Sequence, residues 1–337
     1  MQPISTGILS YGMSGRIFHA PFVAAHPGFK FHSVTERSVK KVNERYPGVI
    51  SYDDVASLLA DDALELVIVN TPNDTHYPLA KQALLAGKHV LVEKPFAATA
   101  VEGKELFSLA REMDRHVMVY QNRRWDSDFQ SVKSVIESGE LGKLIEVNFR
   151  FDRYRREISV KKFKEELVPA TGLTYDLGPH LLDQVISLFG KPLQSRKVTG
   201  TFREGSKVDD YMSFQLTFEG NVNVFVTSSL LTAKPLPSFV IHGANGSFIK
   251  DRVDVQEAQL DAGTLPTDAS YGVEHAGSEG ALTVVAPDGT KTTSAITAPK
   301  GNYMGLFDAV HVQIRNGVPY PVKEEQVIWQ LELLQMS

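Results

Sequence analysis

Ile4-Ser-Thr-Gly-Ile-Leu9, followed at once by Ser10-Tyr11-Gly12-Met13-Ser14-Gly15, is the stretch that decides how this chain folds. The first part is an apolar run of strand length; the second is a Gly-x-Gly-x-x-Gly pattern with Ser10 in its first place. In such a turn Gly12 lets the backbone approach a diphosphate, and Gly15 lets the next helix pack close on its strand. Free N–H groups and the dipole at a helix start favour an anion there. Glycines also mark ordinary turns, so the context has to carry the reading. Here a strand precedes, a helical pattern follows, and Glu36 ends a second strand about twenty residues on. The stretch therefore predicts a dinucleotide site built on Tyr11, Gly12, Met13, Ser14 and Gly15.

Working outward, further apolar runs occur at Phe29–Val34, Leu66–Asn70, His89–Val92 and Val117–Tyr120. Amphipathic segments lie between them, as in Thr75–Ala86, where Leu79, Ala83 and Leu84 recur at helical spacing. Near-continuous apolar strands alternating with helices predict an α/β, doubly wound parallel sheet of Rossmann type over residues 1–121. Residues 122–337 read differently. Helical patterns at Ser127–Ser138 and Thr174–Phe189 accompany strand patterns at Lys143–Arg153, Ser195–Arg203, Tyr211–Phe218, Val222–Leu231 and Phe239–Gly243. Glu219-Gly220-Asn221 is a hairpin signal between two of these. This half is expected to be an α+β domain with a large, mainly antiparallel sheet that binds substrate and a second copy of the chain. Residues 254–280, rich in Gly, Asp, Ala and Ser, read as a long excursion, either a lid or a surface loop.

A length of 337 residues fits two domains. With 42% hydrophobic and 22% charged residues and a net charge of −5, nothing calls for a nucleic acid or membrane surface as partner. There is no apolar run of about 18 residues and no basic-then-apolar leader, so a cytoplasmic protein is expected. The absence of cysteine excludes disulfides, thiolate catalysis and Cys-based zinc sites, and no metal is expected.

Two strand ends add polar groups. Glu93-Lys94-Pro95 follows His89–Val92, and strand C-termini in such sheets face the ligand crevice. Pro95 biases Lys94 toward extended backbone. Thr71-Pro72-Asn73, with His76, ends the preceding strand. Each also fits a plain loop. Farther on, Asp176-Leu-Gly-Pro-His180 sets an acid and a histidine one helical turn apart, a spacing suited to acid–base work and equally to an ordinary helix start. Glu36 and Arg37 pull in opposite directions: the carboxylate suits a ribose 2′-OH, whereas the guanidinium suits a 2′-phosphate.

The glycine turn, Thr71-Pro72-Asn73 with His76, Glu93-Lys94-Pro95 and Asp176-Leu-Gly-Pro-His180 together resemble the Gfo/Idh/MocA oxidoreductases over essentially the whole chain. Phe18-His19-Ala20-Pro21, Asn122-Arg-Arg-Trp-Asp126 and Arg153-Tyr-Arg155 are similar to its NADP-dependent scyllo-inositol dehydrogenase branch. The resemblance implies that Lys94, Asp176 and His180 form a catalytic trio acting on a secondary alcohol of a cyclitol or sugar. It implies NAD or NADP as cofactor, with a lean to NADP, held also by Glu36, Arg37, Thr71, Pro72, Asn73, His76, Glu93, Lys94 and Asn122. Arg123, Arg153 and Tyr154 are the expected substrate contacts. Arg123, Arg124 and Asp126 fit a salt-bridged helix start equally well, and Phe18–Pro21 either lines the cofactor or packs the first helix. Ser10 departs from the family's first glycine, Glu36 departs from what an NADP enzyme prefers, and the chain ends soon after a helical stretch at Glu324–Leu334. A homodimer or homotetramer is expected, because an antiparallel sheet of this size leaves a face to cover. Other activities of the family, an aldose dehydrogenase or an NAD-using glycosidase, and a non-enzymatic dinucleotide-binding regulator remain as alternatives, since fold alone does not fix function.

Overall fold

The computed structural model describes residues 2–159 and 165–337. In the first sheet β1 (Ile4–Ile8), β2 (Phe29–Thr35), β3 (Ile50–Tyr52), β4 (Leu66–Val69), β5 (His89–Glu93) and β6 (Val117–Tyr120) lie in the order β3-β2-β1-β4-β5-β6. Every neighbouring pair is parallel. The helical connections are a segment at 13–25, whose Gly15–His19 stretch is π-helical and whose end is α1 (Ala20–Ala25), then α2 (Val42–Arg45), α3 (Val55–Leu59), α4 (His76–Leu85) and α5 (Ala100–Glu112). β4 is buried at every residue, which is why its sequence runs apolar without alternation. α5 starts at Thr99, whose side chain accepts from the Glu102 N–H in a capping box. β3 was not foreseen, because its three residues are too few to show a period. Strand order reverses between β1 and β4, and ligands of such sheets bind beyond the strand C-termini at that point.

The second sheet contains β7 (Leu144–Arg150), β8 (Gln194–Gly200), β9 (Tyr211–Phe218), β10 (Val222–Ser229), β11 (Phe239–Gly243), β12 (Gly246–Lys250), β13 (Gly280–Val285) and β14 (Lys291–Ile296). Their order is β14-β13-β12-β11-β7-β10-β9-β8. β7 and β10 pair parallel; the other neighbours are antiparallel. α6 (Ser127–Ser138), α7 (Leu173–Asp176) and α8 (Gly178–Phe189) lie against the face that buries Val147, Phe149, Phe214, Val224 and Ile241. The helix expected at 174–189 is broken at Leu177, and β7 stops three residues short of the expected end. β12, β13 and β14 escaped the sequence reading. β14, Lys-Thr-Thr-Ser-Ala-Ile, is exposed along nearly its whole length and so carries no apolar alternation.

The remaining helices are α9 (Gln256–Asp261), α10 (Met304–Asn316) and α11 (Glu324–Leu334). The chain divides into two compact units, and the division is not a single cut. Residues 1–122, 256–271 and 302–328 form one; 123–255, 272–301 and 329–337 form the other. The sequence alone predicts one cut after residue 121, whereas 256–271 and 302–328 return to the first unit. In the first unit Phe22 stacks on Phe307 at 5.1 Å, and Tyr271 meets Phe22 edge-on at 6.2 Å. Residues 256–261 form α9 with Leu260 buried, and Tyr271 is a second anchor, but 262–270 is mostly exposed turn, so much of the excursion is the surface loop that the sequence suggests. Its few anchors are hidden in sequence by their polar neighbours.

His89 and His116 stack at 5.1 Å in this unit. Burial, then the second imidazole and Arg115, bring His89 down from 6.5 to about 4, and burial also lowers His116. The folded state thus prefers neutral rings, so their contribution is complete above about pH 6.5 and is lost as pH falls toward 4. Thermal unfolding from pH 7 to 4 should show a Tm loss that is smaller in His89→Gln by on the order of 5 °C. Equal losses in both proteins would show that His89 does not contribute.

Candidate dinucleotide and acid–base site

The turn after β1 is fixed from β4. The Asn70 side chain accepts the Ser10 N–H at 2.9 Å and donates to the Ser10 carbonyl at 2.8 Å. Ser10 Oγ in turn accepts the Gly12 N–H at 3.3 Å, so serine in the first glycine's place contributes a turn bond of its own. A Cβ on Gly15 would lie 2.0 Å from the Ser10 carbonyl oxygen and 3.1 Å from Asn70. A Cβ on Gly12 would meet only Ser10 Oγ, at 3.3 Å. Gly15 is therefore needed for packing beneath the turn, while the space over Gly12 is open, as a diphosphate requires. A cleft of about 490 Å³ begins here, lined by Ser10, Tyr11, Gly12, Arg37, Thr71 and Pro72 among others. Sequence reasoning missed Asn70; its only signal was a polar residue closing an otherwise apolar strand.

Glu36 lines the same cleft but is turned into the protein. It is buried, and its carboxylate accepts from the N–H groups of Lys41 at 2.8 Å and Val42 at 3.4 Å, where α2 begins, and from Ser51 Oγ at 2.8 Å. Arg37 is exposed beside it.

At the ends of β4 and β5, His76 is buried and spans two carbonyls, Pro95 from Nδ1 at 2.7 Å and Thr71 from Nε2 at 2.9 Å. Burial lowers its proton affinity, and the two carbonyls oppose that. Thr71 Oγ1 also bonds Thr75 Oγ1, closing the Asn73–Thr75 turn that follows Pro72. His76 thus lies between two strand-end loops, where its neutral ring donates to one of the two carbonyls at a time. Glu93 ends β5 and receives Ser14 Oγ and His19 Nε2, both at 2.9 Å, and the Lys94 N–H at 3.2 Å. Burial works to raise the Glu93 carboxyl, but the His19 bond and charge, Lys94 and Ser14 bring it below the ordinary carboxylate range. His19 is fully buried against Tyr120, with ring centres 4.5 Å apart. The Phe18–Pro21 stretch therefore does more than pack its helix, for His19 binds Glu93 directly. Met13 is exposed at the start of the helix. Asn122 is buried in the 3₁₀ turn that follows β6.

In the second unit, Asp176 is the last residue of α7 and His180 lies in the first turn of α8, buried. The N-terminus of α7 is held by Asp209, which accepts from both Thr174 N–H and Thr174 Oγ1 at 2.7 Å. α8 is fixed by a two-pronged pair in which Arg124 Nε and Nη2 donate to the two oxygens of Asp183 at 2.7 and 2.8 Å. Gln184 adds a 2.9 Å bond to the Arg123 carbonyl. Burial nevertheless lifts the Asp183 carboxyl above its ordinary range. Arg123 donates to buried Asp126 at 3.2 Å and lies 5.2 Å from the Phe151 ring; Arg153 lies 4.9 Å from the same ring. The salt-bridged helix start suggested by Arg123, Arg124 and Asp126 is present in the Arg123–Asp126 pair, and Arg124 pairs with Asp183. Tyr154 is largely exposed. The structure thus assembles Gly12, Ser14, Glu93 and Lys94 in one unit, and Asp176 and His180 in the other.

Comparison with known proteins gives the same class. Residues 4–121 match the oxidoreductase family with an NAD-binding Rossmann fold, and residues 129–249 match the GFO/IDH/MocA C-terminal domain. The chain belongs to the Gfo/Idh/MocA oxidoreductases. It is 33% identical to scyllo-inositol 2-dehydrogenase (NADP(+)) of Bacillus subtilis over 100% of this chain and 93% of that protein. An uncharacterized oxidoreductase of Schizosaccharomyces pombe is 37% identical over 97% of this chain and 94% of its own. A solved Bacillus subtilis oxidoreductase superposes with a TM-score of 0.95 at 33% identity, covering 99% of this chain and 95% of that one. The protein is accordingly an NAD(P)-binding oxidoreductase, and no helix among the described residues is long and apolar enough to cross a membrane.

Two contrasts test the geometry. Gly12→Ala should fold with wild-type stability yet bind dinucleotide at least tenfold more weakly, whereas Gly15→Ala should lose both stability and binding, read by Tm and by nucleotide titration. Arg124→Met should destabilise by about 3 kcal/mol, as expected when one partner of a buried pair is removed. In urea unfolding its effect and that of Asp183→Asn should fall well short of additive.

Proposed function

We propose that this chain is a dehydrogenase that interconverts a secondary alcohol of a cyclitol or sugar and its ketone, using NADP in preference to NAD. The observation that supports it most is Lys94, held at the end of β5 by the same carboxylate that binds Ser14 of the glycine turn. When bound, the nicotinamide supplies the hydride acceptor or donor. His180 takes the hydroxyl proton as general base, and Lys94 stabilises the alkoxide as its charge develops. Asp176 orients His180 or a neighbouring substrate hydroxyl. Arg123, Arg153 and Tyr154 supply polar contacts to the ring, as a few placed groups do in such pockets.

The NADP preference rests on Glu36. A carboxylate that binds the start of α2 and Ser51 is taken up by protein donors rather than directed at a ribose, which leaves exposed Arg37 beside it to pair with a 2′-phosphate. The similarity to an NADP-dependent relative agrees with this. A second copy covers the open face of the eight-stranded sheet, where Asn148, Phe225, Val240 and Ile249 alternate with the core-facing residues. The protein would then be a dimer or tetramer by light scattering, and a micromolar monomer would refute that part.

A dehydrogenase screen of inositol stereoisomers and common aldoses, run with NADP and NAD in parallel, tests the activity. The expected result is turnover of at least one polyol with NADP favoured, a kcat loss of at least about a hundredfold in Lys94→Ala and His180→Ala, and an NADP KM raised about tenfold in Arg37→Ala, from one lost phosphate pair. Silence across the panel, or near wild-type turnover in Lys94→Ala, would overturn the reading.

A further inference from the structure

One largely buried carboxylate carries bonds that run in two directions. Glu93 Oε1 accepts from Ser14 Oγ and from His19 Nε2, each at 2.9 Å, and both donors lie on the segment that runs from the glycine turn into the first helix. Glu93 Oε2 accepts the Lys94 N–H at 3.2 Å. The Glu93 side chain is only 13% exposed and that of His19 not at all. A carboxylate left unpaired so close to a diphosphate turn would repel the ligand, and a buried charge is tolerated only when paired. The His19 hydrogen bond, with those from Ser14 and the Lys94 N–H, supplies the partners that this carboxylate needs. The His19 ring is held in place by Tyr120 at 4.5 Å and Phe307 at 6.4 Å, while the Tyr120 hydroxyl donates to the Phe18 carbonyl at 2.9 Å. Every partner in this chain of contacts belongs to the first unit.

We infer that Glu93 is a positioning residue that couples dinucleotide occupancy at the turn to the placement of Lys94, and that it touches neither dinucleotide nor substrate. The inference rests on the reading of Lys94 and the turn given above. Movement of Ser14 as the turn closes on a diphosphate is passed through Glu93 Oε1 to Oε2 and on to the Lys94 backbone, because the carboxylate is a rigid plane. Glu93→Gln keeps the size and an oxygen for one side, but places an amide N–H₂ against an N–H on the other. The coupling is lost while the fold and the diphosphate contacts remain.

The test needs no substrate and no turnover. Lys94 is acetylated with N-hydroxysuccinimide acetate and its rate read by peptide mass spectrometry, with and without saturating NADP⁺ or NAD⁺. In the wild type, dinucleotide should change the Lys94 rate at least fivefold. In Glu93→Gln the change should shrink to less than twofold, although dinucleotide Kd stays within threefold of wild type. Ser14→Ala removes the Ser14 bond to Glu93, and at dinucleotide concentrations that saturate this variant by its own measured Kd it should give the same loss of response should Glu93→Gln fail to fold. A response undiminished in the variants means that the dinucleotide shields Lys94 directly, and the inference falls. It falls too if the wild-type rate does not respond, or if Glu93→Gln weakens dinucleotide binding tenfold or more, which would make Glu93 a cofactor ligand. Failure of the polyol screen would instead count against the proposed reaction.

Discussion

The Asn70 amide, bonded twice to the Ser10 peptide, is the interaction on which the first unit's ligand-facing edge depends. It spans the place where strand order reverses, between β1 and β4, and there a parallel sheet has no neighbouring connection to hold its loops together. Both Asn70 bonds go to one peptide group, so the orientation of the Ser10 peptide at the start of the turn is fixed. Gly15 then packs on that clamped peptide so closely that no side chain fits. The helix that follows is aimed by this contact, and through Ser14 and His19 so is the end of β5.

The acids flanking this edge share one behaviour. Glu36 and Glu93 were both expected to meet cofactor, and both carboxylates are taken up by protein donors. A carboxylate deprived of water needs several hydrogen bonds, and backbone N–H groups at a helix start and neighbouring hydroxyls supply them. Once satisfied in this way it acts on a ligand through position more than through charge. A residue type that signals NAD in sequence therefore need not contact the ribose in the fold. His76 is likewise placed against protein groups, its ring lying between two loop carbonyls.

In the second unit, ion pairs rather than strand ends do the positioning. The Arg124–Asp183 fork and the Gln184 bond set the rotation of α8, and Asp209 sets the start of α7. The planar guanidinium matches a carboxylate in two bonds at once, which a lysine could not do. The helices carrying Asp176 and His180 are therefore fixed from outside their own segment, by residues distant in the chain.

The sequence by itself determined the parallel sheet, the glycine turn and the two families of elements, since these follow from local periods and from glycine's small size. Apolar runs located β1, β2, β4, β5 and β6, and the hairpin signal at Glu219–Asn221 located the β9–β10 turn. Motifs at fixed spacing also brought Lys94, Asp176 and His180 to notice. Only the tertiary structure decided where each polar side chain points and which distant segments join a unit. The short β3, the polar β14 and the membership of 256–271 in the first unit have no local period to betray them. Nor does any local pattern reveal that Glu36 turns to Ser51, or that Glu93 joins Ser14 to Lys94, because those partners come from elsewhere in the chain and meet only when the sheet has formed.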